Sequence, residues 1–509
     1  MKQRFALTVG KMLRALQTLL TIGFALTSLV AQETHDHPAP AQLGEVSFPV
    51  SCKPSVQREF DRGVALLHSF MYTPAEEAFR SVADHDPRCA IAHWGIAMTH
   101  FHQLWEPPIP PSSTASAAAE IEQGEQLGAA TERERKFIHA AGLMFRNADS
   151  VPYKTRVLNY EQAMSDLAAE NKNDLEVKVF YALALLANAS PADRTHAKQK
   201  QAADILEPLF VSHPLHPGIP HYLIHACDST ALASRGLSAA KAYSKIAPSA
   251  PHALHMPSHI FTRLGLWEES IGSNTAARDA ARRLGDTAEE LHAMDYLVYA
   301  YLQSGHDADA AEVIQQLRTM PKLNTGDFKI GYASTAMPIR YLLERRQWAD
   351  AALVAPPAVA PPHVTAIAVW AKGLGLARSG HAADTPRLLD ELQNIETQLD
   401  TSGNEYWAIQ VRVMKREVMA WSAQADKKPD EAATLMRQAA DEEDSIEKLP
   451  VTPGPIVPAR EQLADLLLEQ GHADLASQEF QAALMSAPGR RGSLRGAAEA
   501  SQHLRQNRN

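Results

Sequence analysis

The chain has 509 residues, and its 49 Lys plus Arg stand against 59 Asp plus Glu, a formal charge of −10 that argues against a nucleic-acid wrapper. At 45% hydrophobic and 21% charged it falls in the globular range, with length for about three compact domains or one long repeat array. Aromatics make up only 6% while Ala and Leu dominate most segments, which favours close-packed helices over strands and predicts an all-α fold.

The first elements in chain order concern export. Lys2, Arg4, Lys11 and Arg14 precede an apolar stretch from Ala15 to Val30, and Leu29-Val30-Ala31 loosely fits the small-residue pattern cut by a signal peptidase. Residues 1–31 read as a signal peptide, so the mature chain is expected in a periplasmic or extracellular compartment. Gln17, Thr18 and Thr21 interrupt the run, which is short for a hydrocarbon core of ~30 Å, and no other segment looks able to span a membrane. Residues 32–54 form an N-terminal arm carrying His35 and His37, a flexible Cu or Ni binder once the signal is removed. Disulfides persist in oxidising compartments, which makes Cys52 and Cys89 the expected pair, tying the arm to the end of the first helical unit. Two unconnected buried thiols are the alternative. Cys227 is left over and reads as core packing, with metal ligation as the minority reading.

The helical region, residues 55–505, carries an internal period. In FDRGVALLHSFMYTPAEEAFRSVADHDP, Gly63 and Leu66 lie on a first helix, Ala75, Phe79 and Val82 on a second, and Pro87 closes the unit. Gly471, Ala476, Phe480, Ala483 and Pro488 repeat the pattern near the other end, with weaker copies turning at Gly236, Gly265, Gly305 and Gly380. The pattern places small residues where two helices cross, a large residue in the gap and a closing proline, and it resembles the tetratricopeptide repeat. That resemblance implies a right-handed superhelical solenoid of helix hairpins in which stacking supplies the core, with first helices lining a concave groove that takes a protein or small-molecule ligand. Proline-rich stretches near 105–118, 354–363 and 449–458 interrupt the period as loops, either a lid or separators of sub-arrays, and residues 490–505 read as a polar capping helix.

The densest chemistry lies between 214 and 259. PLHPGIPHYLIH and PSAPHALHMPSH align without a gap, so that His221 matches His255 and His225 matches His259, each 34 residues apart. Within each block the histidines stand at i and i+4 on one helical face, a spacing that lets two imidazoles converge on one ion. His252 lies one turn before His255, and His292 and Asp295 follow on the next block, so the candidate metal ligands are His221, His225, His252, His255, His259, His292 and Asp295. Such a set suits Zn, Cu or non-haem Fe. Pro257, between His255 and His259, places the second pair across a helix start, where the i, i+4 geometry is open to distortion. Histidines that cap helices or fill polar gaps between repeats are the plain alternative.

A second, looser group is His93, His100 and His102 with Trp105 and Glu106, where Glu106 is a candidate carboxylate ligand or general base if its loop folds into the groove. Ser238-Ala239-Ala240-Lys241 formally matches SxxK, but it occupies the small-residue positions of a second helix. No phosphate-binding loop, nucleophile elbow, CxxC or dinucleotide glycine motif is present. Two functions fit: an exported scaffold binding a partner in its groove, with a histidine-lined metal site in the middle repeats, or a metalloenzyme, hydrolase or oxidase, with an open coordination position. Tyr222, Tyr296, Tyr299 and Tyr301 read as groove or core aromatics.

Overall fold

The computed structural model describes residues 42–102, 104 and 109–506. The expected signal peptide, His35, His37, Trp105 and Glu106 lie outside the described residues.

Among the described residues the chain is all-α, and successive helices pack in pairs joined by short turns, which makes each pair antiparallel. Gln57–His68 pairs with Tyr72–His85, Leu175–Ala187 with Ala197–Ser212, Gly218–Cys227 with Ala233–Ile246, and Thr287–Ser304 with Asp307–Thr319. The array continues to Ala459–Glu469, Ala473–Ser486 and a last helix, Arg491–Gln506. This is an all-α solenoid of tetratricopeptide-like hairpins, and its packing follows from the small residues of the repeat. The ring of Phe79 lies between Gly63 and Gly95, where a Cβ would stand 2.8 Å and 2.4 Å from ring carbons. The backbones of Gln57–His68 and Ala90–Met98 thereby both close on the ring carried by Tyr72–His85. Gly95→Ala is expected to force the fully buried Phe79 ring off its rotamer and to cost about 1–3 kcal/mol, read as a lower denaturant midpoint.

Cys52 is bonded to Cys89, with Cα atoms 5.0 Å apart, fastening the segment before the first helix to the start of Ala90–Met98; Cys227 is a buried free thiol. The interrupting loops behave differently from one another. In the first, Pro111 starts the helix Pro111–Leu127, so residues 111–118 are helical rather than loop, because a proline is tolerated where the N–H has no helical partner. In the second, the helix Pro362–Arg378 begins at the loop's end.

The third loop turns inward. Val451, Thr452 and Ile456 are buried, the Tyr296 hydroxyl donates to the carbonyls of Pro450 and Thr452 at 3.1 and 3.0 Å, and Arg340 Nη1 donates to the Pro455 carbonyl at 3.1 Å. The C-terminal repeats also pack back onto the middle ones: Trp267 Nε1 donates to the Gly489 carbonyl at 3.2 Å, and Arg491 Nη1 pairs with Asp307 at 2.6 Å. The groove expected for an open solenoid is therefore filled at the level of the histidine blocks. Tyr222, Tyr296 and Tyr299 are core residues, and Tyr301 is half-buried. No helix among the described residues is long and apolar enough to cross a membrane.

Candidate metal centre

Three consecutive first helices carry the histidines. Gly218–Cys227 bears His221 and His225; Pro251–His255 and Pro257–Arg263 bear His252, His255 and His259; Thr287–Ser304 bears His292. Met256, between the two short segments, keeps helical dihedrals (φ −52°, ψ −36°), so Pro257 costs one hydrogen bond without turning the chain aside. His255 and His259 still share a face. The helix with His292 starts at Asp286, whose side chain accepts from the Glu289 N–H at 3.0 Å, a cap that sets its register.

These helices bring six imidazoles into two adjoining groups of three: His221, His225 and His252, then His255, His259 and His292, each offering ligand atoms within 4.8 Å of one another. All six are buried, between 0% and 8% exposed. Across the boundary, the rings of His225 and His259 stand 5.9 Å apart, and those of His252 and His255 6.1 Å, centroid to centroid. The 34-residue offset thus delivers two of the three rings of each group as an i, i+4 pair. His252, although on the helix of the second group, joins the first.

Four of the six outer nitrogens have fixed partners. His221 Nδ1 donates to the His68 carbonyl at 2.6 Å, His252 Nδ1 to Glu289 at 3.1 Å, His255 Nδ1 to Asn274 Oδ1 at 2.6 Å, and His259 Nδ1 to Asp228 at 2.8 Å. Each direction is fixed by the acceptor. Asn274 donates through its own Nδ2 to the Ser270 carbonyl at 2.8 Å, which leaves Oδ1 to face His255. Burial pushes Asp228 upward, but Lys448 and Arg263 overcome it and hold the carboxylate ionised, well below its usual range. Glu289 is likewise raised by burial and lowered further by Lys329 and His252, so it too stays ionised. With the proton on Nδ1, the Nε2 lone pair of each of these four rings points inward.

The inward geometry is the notable feature. His255 Nε2 lies 3.0 Å from His259 Nε2, and His221 Nε2 lies 3.2 Å from His225 Nε2. Burial holds His221, His255 and His292 well below the ordinary imidazole range and His259 down to about 4, with neighbouring imidazoles adding to the shift of His221, His255 and His292, so these rings are neutral at pH 7. Two neutral imidazoles that both carry their proton on Nδ1 cannot hydrogen-bond through Nε2. Their lone pairs repel at 3.0 Å unless a cation sits between them. Fixing the ring through Nδ1–H to a carboxylate, amide or carbonyl is also how metal-binding histidines are held.

Asp295 lies on the same helix as His292 but faces Arg340, with 3.5 Å between carboxylate and guanidinium, and belongs to neither group. Cys227 packs against Gly236. His93 bonds Glu120 at 2.7 Å, His102 stacks on Tyr72 at 4.1 Å, and Trp94 is core; neither histidine belongs to a group of three. Ser238–Lys241 lies within the Ala233–Ile246 helix, where Ala239 and Ala240 are buried packing. Sequence reasoning missed the holding residues Asp228, Asn274 and Glu289. Glu289 carried a faint signal, one turn before His292, whereas Asn274 sits in an ordinary polar position of a second helix.

A third buried group, His68, Glu176 and His216, is already complete. Glu176 accepts from both imidazoles at 2.9 Å, and His68 Nδ1 bonds the Tyr222 hydroxyl at 2.9 Å. It buttresses the backbone carbonyl of His68 that holds His221.

No family profile matches this chain, and no curated protein does either. Solved structures similar to it include the tetratricopeptide domain of P58(IPK), at 14% identity over 89% of this chain and 99% of that one with a TM-score of 0.22. The Cut9-Hcn1 complex of APC/C (12%, 89% and 77%, TM-score 0.36) and yeast Tom70 (11%, 88% and 88%, TM-score 0.29) are others. At these scores the likeness carries no argument about this chain's site, and the hairpin packing described above is what defines the fold.

Proposed function

We propose that this chain is a transition-metal protein in which the two histidine groups hold a pair of ions side by side and the helical-repeat array serves as their frame. The observation that carries the reading is the 3.0 Å approach of two inward Nε2 atoms whose Nδ1 protons are committed elsewhere. The donor set bears on the metal. Both groups are imidazole only, and the carboxylates of Asp228 and Glu289 act through the rings rather than on the ion. Imidazole suits Cu and Zn, whereas non-haem Fe centres commonly add a carboxylate, so Cu or Zn is preferred over Fe.

The tetratricopeptide-like array supports a protein-binding scaffold as well, a role that rests on architecture alone. The metalloenzyme alternative is favoured by one observation, that His225 also lines a cavity of about 540 Å³. Export to a periplasmic or extracellular compartment belongs to the same proposal and is supported by the Cys52–Cys89 bond, since such bonds persist under oxidising conditions. The test is elemental analysis of the untagged mature chain, purified from its exported compartment. About two equivalents of Cu or Zn per chain are expected, as in two-metal sites generally; no metal after reconstitution with either ion would remove the reading.

A further inference from the structure

Each group of three imidazoles lies against one further aromatic ring. Phe70 packs on His221, His225 and His252, with ring centroids 4.4, 5.8 and 5.4 Å away, and Tyr296 packs on His255, His259 and His292, at 4.6, 5.1 and 5.4 Å. Among the described residues neither ring is in contact with the other group, so neither stands between the two. Phe70 is placed at a cost. In the turn after Gln57–His68 it holds φ 55°, the left-handed position that Gly265, Gly305, Gly380 and Gly471 fill in other hairpins and Arg346 and Lys427 in two more. The hydrogen bonds of the turn are the same: the Phe70 and Met71 N–H groups donate to the Leu67 and Leu66 carbonyls, as those of Gly265 and Leu266 do to Thr262 and Phe261. Strain of this kind concentrates at functional sites, and here it lays a half-buried ring over three buried imidazoles.

The boundary between the groups is as tight as the groups themselves. The His225–His259 and His252–His255 ring distances across it, 5.9 and 6.1 Å, fall within the 4.3–6.4 Å found inside the groups. Ions held by the two groups are therefore neighbours, each with an aromatic ring on its outer side and its remaining position turned toward the other. Five of the six imidazoles are at most 2% exposed, so what enters between the ions is small and uncharged. We infer that the centre is a copper pair that takes dioxygen between its two ions; the inference rests on the metal reading above and fixes its metal and its substrate. Two cuprous ions give one electron each, dioxygen accepts both, its O–O bond order falls from two to one without uptake of a proton, and the peroxide dianion lies between two cupric ions. The dianion offsets charge that neutral imidazole ligands leave uncompensated. Zinc has no second oxidation state and cannot take this step.

The test loads the full mature chain with cuprous ion under anaerobic conditions and then admits dioxygen. Consumption of about one dioxygen for every two copper ions is expected, with an absorption band that the zinc-loaded chain does not develop. The cupric paramagnetic resonance signal should fall far below that of the copper present, because two cupric ions sharing one bridge couple their spins. His292→Ala leaves one group whole and should show the full signal of a single cupric ion, without the band. Phe70→Gly suits the turn and keeps all six imidazoles, so two copper ions should remain while the band decays about tenfold faster as water reaches the first group. Two copper ions that oxidise with the full signal of isolated cupric ions, or a chain that keeps two zinc ions and refuses copper, overturn the dioxygen inference and leave the metal centre standing. Uptake of neither ion removes both.

Discussion

His292→Ala is expected to lower the metal content from about two ions per chain to about one, and His221→Ala to do the same from the other side, each sparing the group it does not belong to. The division follows from the geometry. His292 completes only the group with His255 and His259, while His221 completes only the group with His225 and His252. Each loss leaves two imidazoles, too few to hold an ion against competing buffers. The variant lacking His221, His225, His255 and His259 should bind none. Stability should follow stoichiometry, because an ion that binds only the folded chain stabilises it by about 4 kcal/mol at free concentrations of 1,000 times Kd. A chelator should therefore lower the melting temperature of the wild type in two increments and that of either single variant in one. Elemental analysis paired with thermal melts reads both quantities. A single ion shared by all six rings would show instead as one equivalent in the wild type, lost in both variants.

The divided centre was only partly legible in the sequence. The 34-residue offset between His221 and His255 and between His225 and His259 exposes two i, i+4 pairs, because local helix geometry governs rings one turn apart. It does not say which third ring joins which pair. His252 crosses to its neighbour's pair because its ring stands 5.0 Å from that of His221 and 6.1 Å from that of His255, a fact of tertiary stacking. Asp295 shows the converse error. At i+3 from His292 it shares a helical face by spacing, yet this helix is buried almost all round, and its carboxylate is claimed by Arg340 from the following hairpin. The repeats near Phe79 and Phe480 were readable because small residues and aromatics must alternate where helices cross. That the array would close over its own groove was not, since it depends on contacts such as that of Lys448 with Asp228, 220 residues apart.

Those contacts set the second large effect. Asp228 accepts at once from His259 Nδ1 at 2.8 Å, Arg263 Nε at 2.9 Å and Lys448 Nζ at 2.7 Å, and all four groups are buried or nearly so. Burial pushes the Lys448 ammonium down to about 8, against the pull of Asp228, so it is charged at pH 7 chiefly because of that partner. Asp228→Ala strands Lys448 in the interior and leaves Arg263 with Glu447 alone, at 3.1 Å, and removing one member of such a buried set costs about 3–5 kcal/mol. The same substitution frees His259 to turn its Nδ1 elsewhere and unfastens the 449–458 loop at its N-terminal end, so the ion of the His255 group should be lost along with stability. Asp228→Asn separates the two effects. Its Oδ1 can still accept from His259, so metal content should survive, while the lost charge still destabilises through Lys448 and Arg263. Adding Lys448→Met to Asp228→Asn removes one stranded cation and should recover part of the denaturant midpoint, whereas Lys448→Met alone leaves Asp228 still paired with Arg263 and should cost less than Asp228→Ala. Equal losses of metal in the Ala and Asn variants would show that charge at position 228, rather than the hydrogen bond to His259, is what the centre requires.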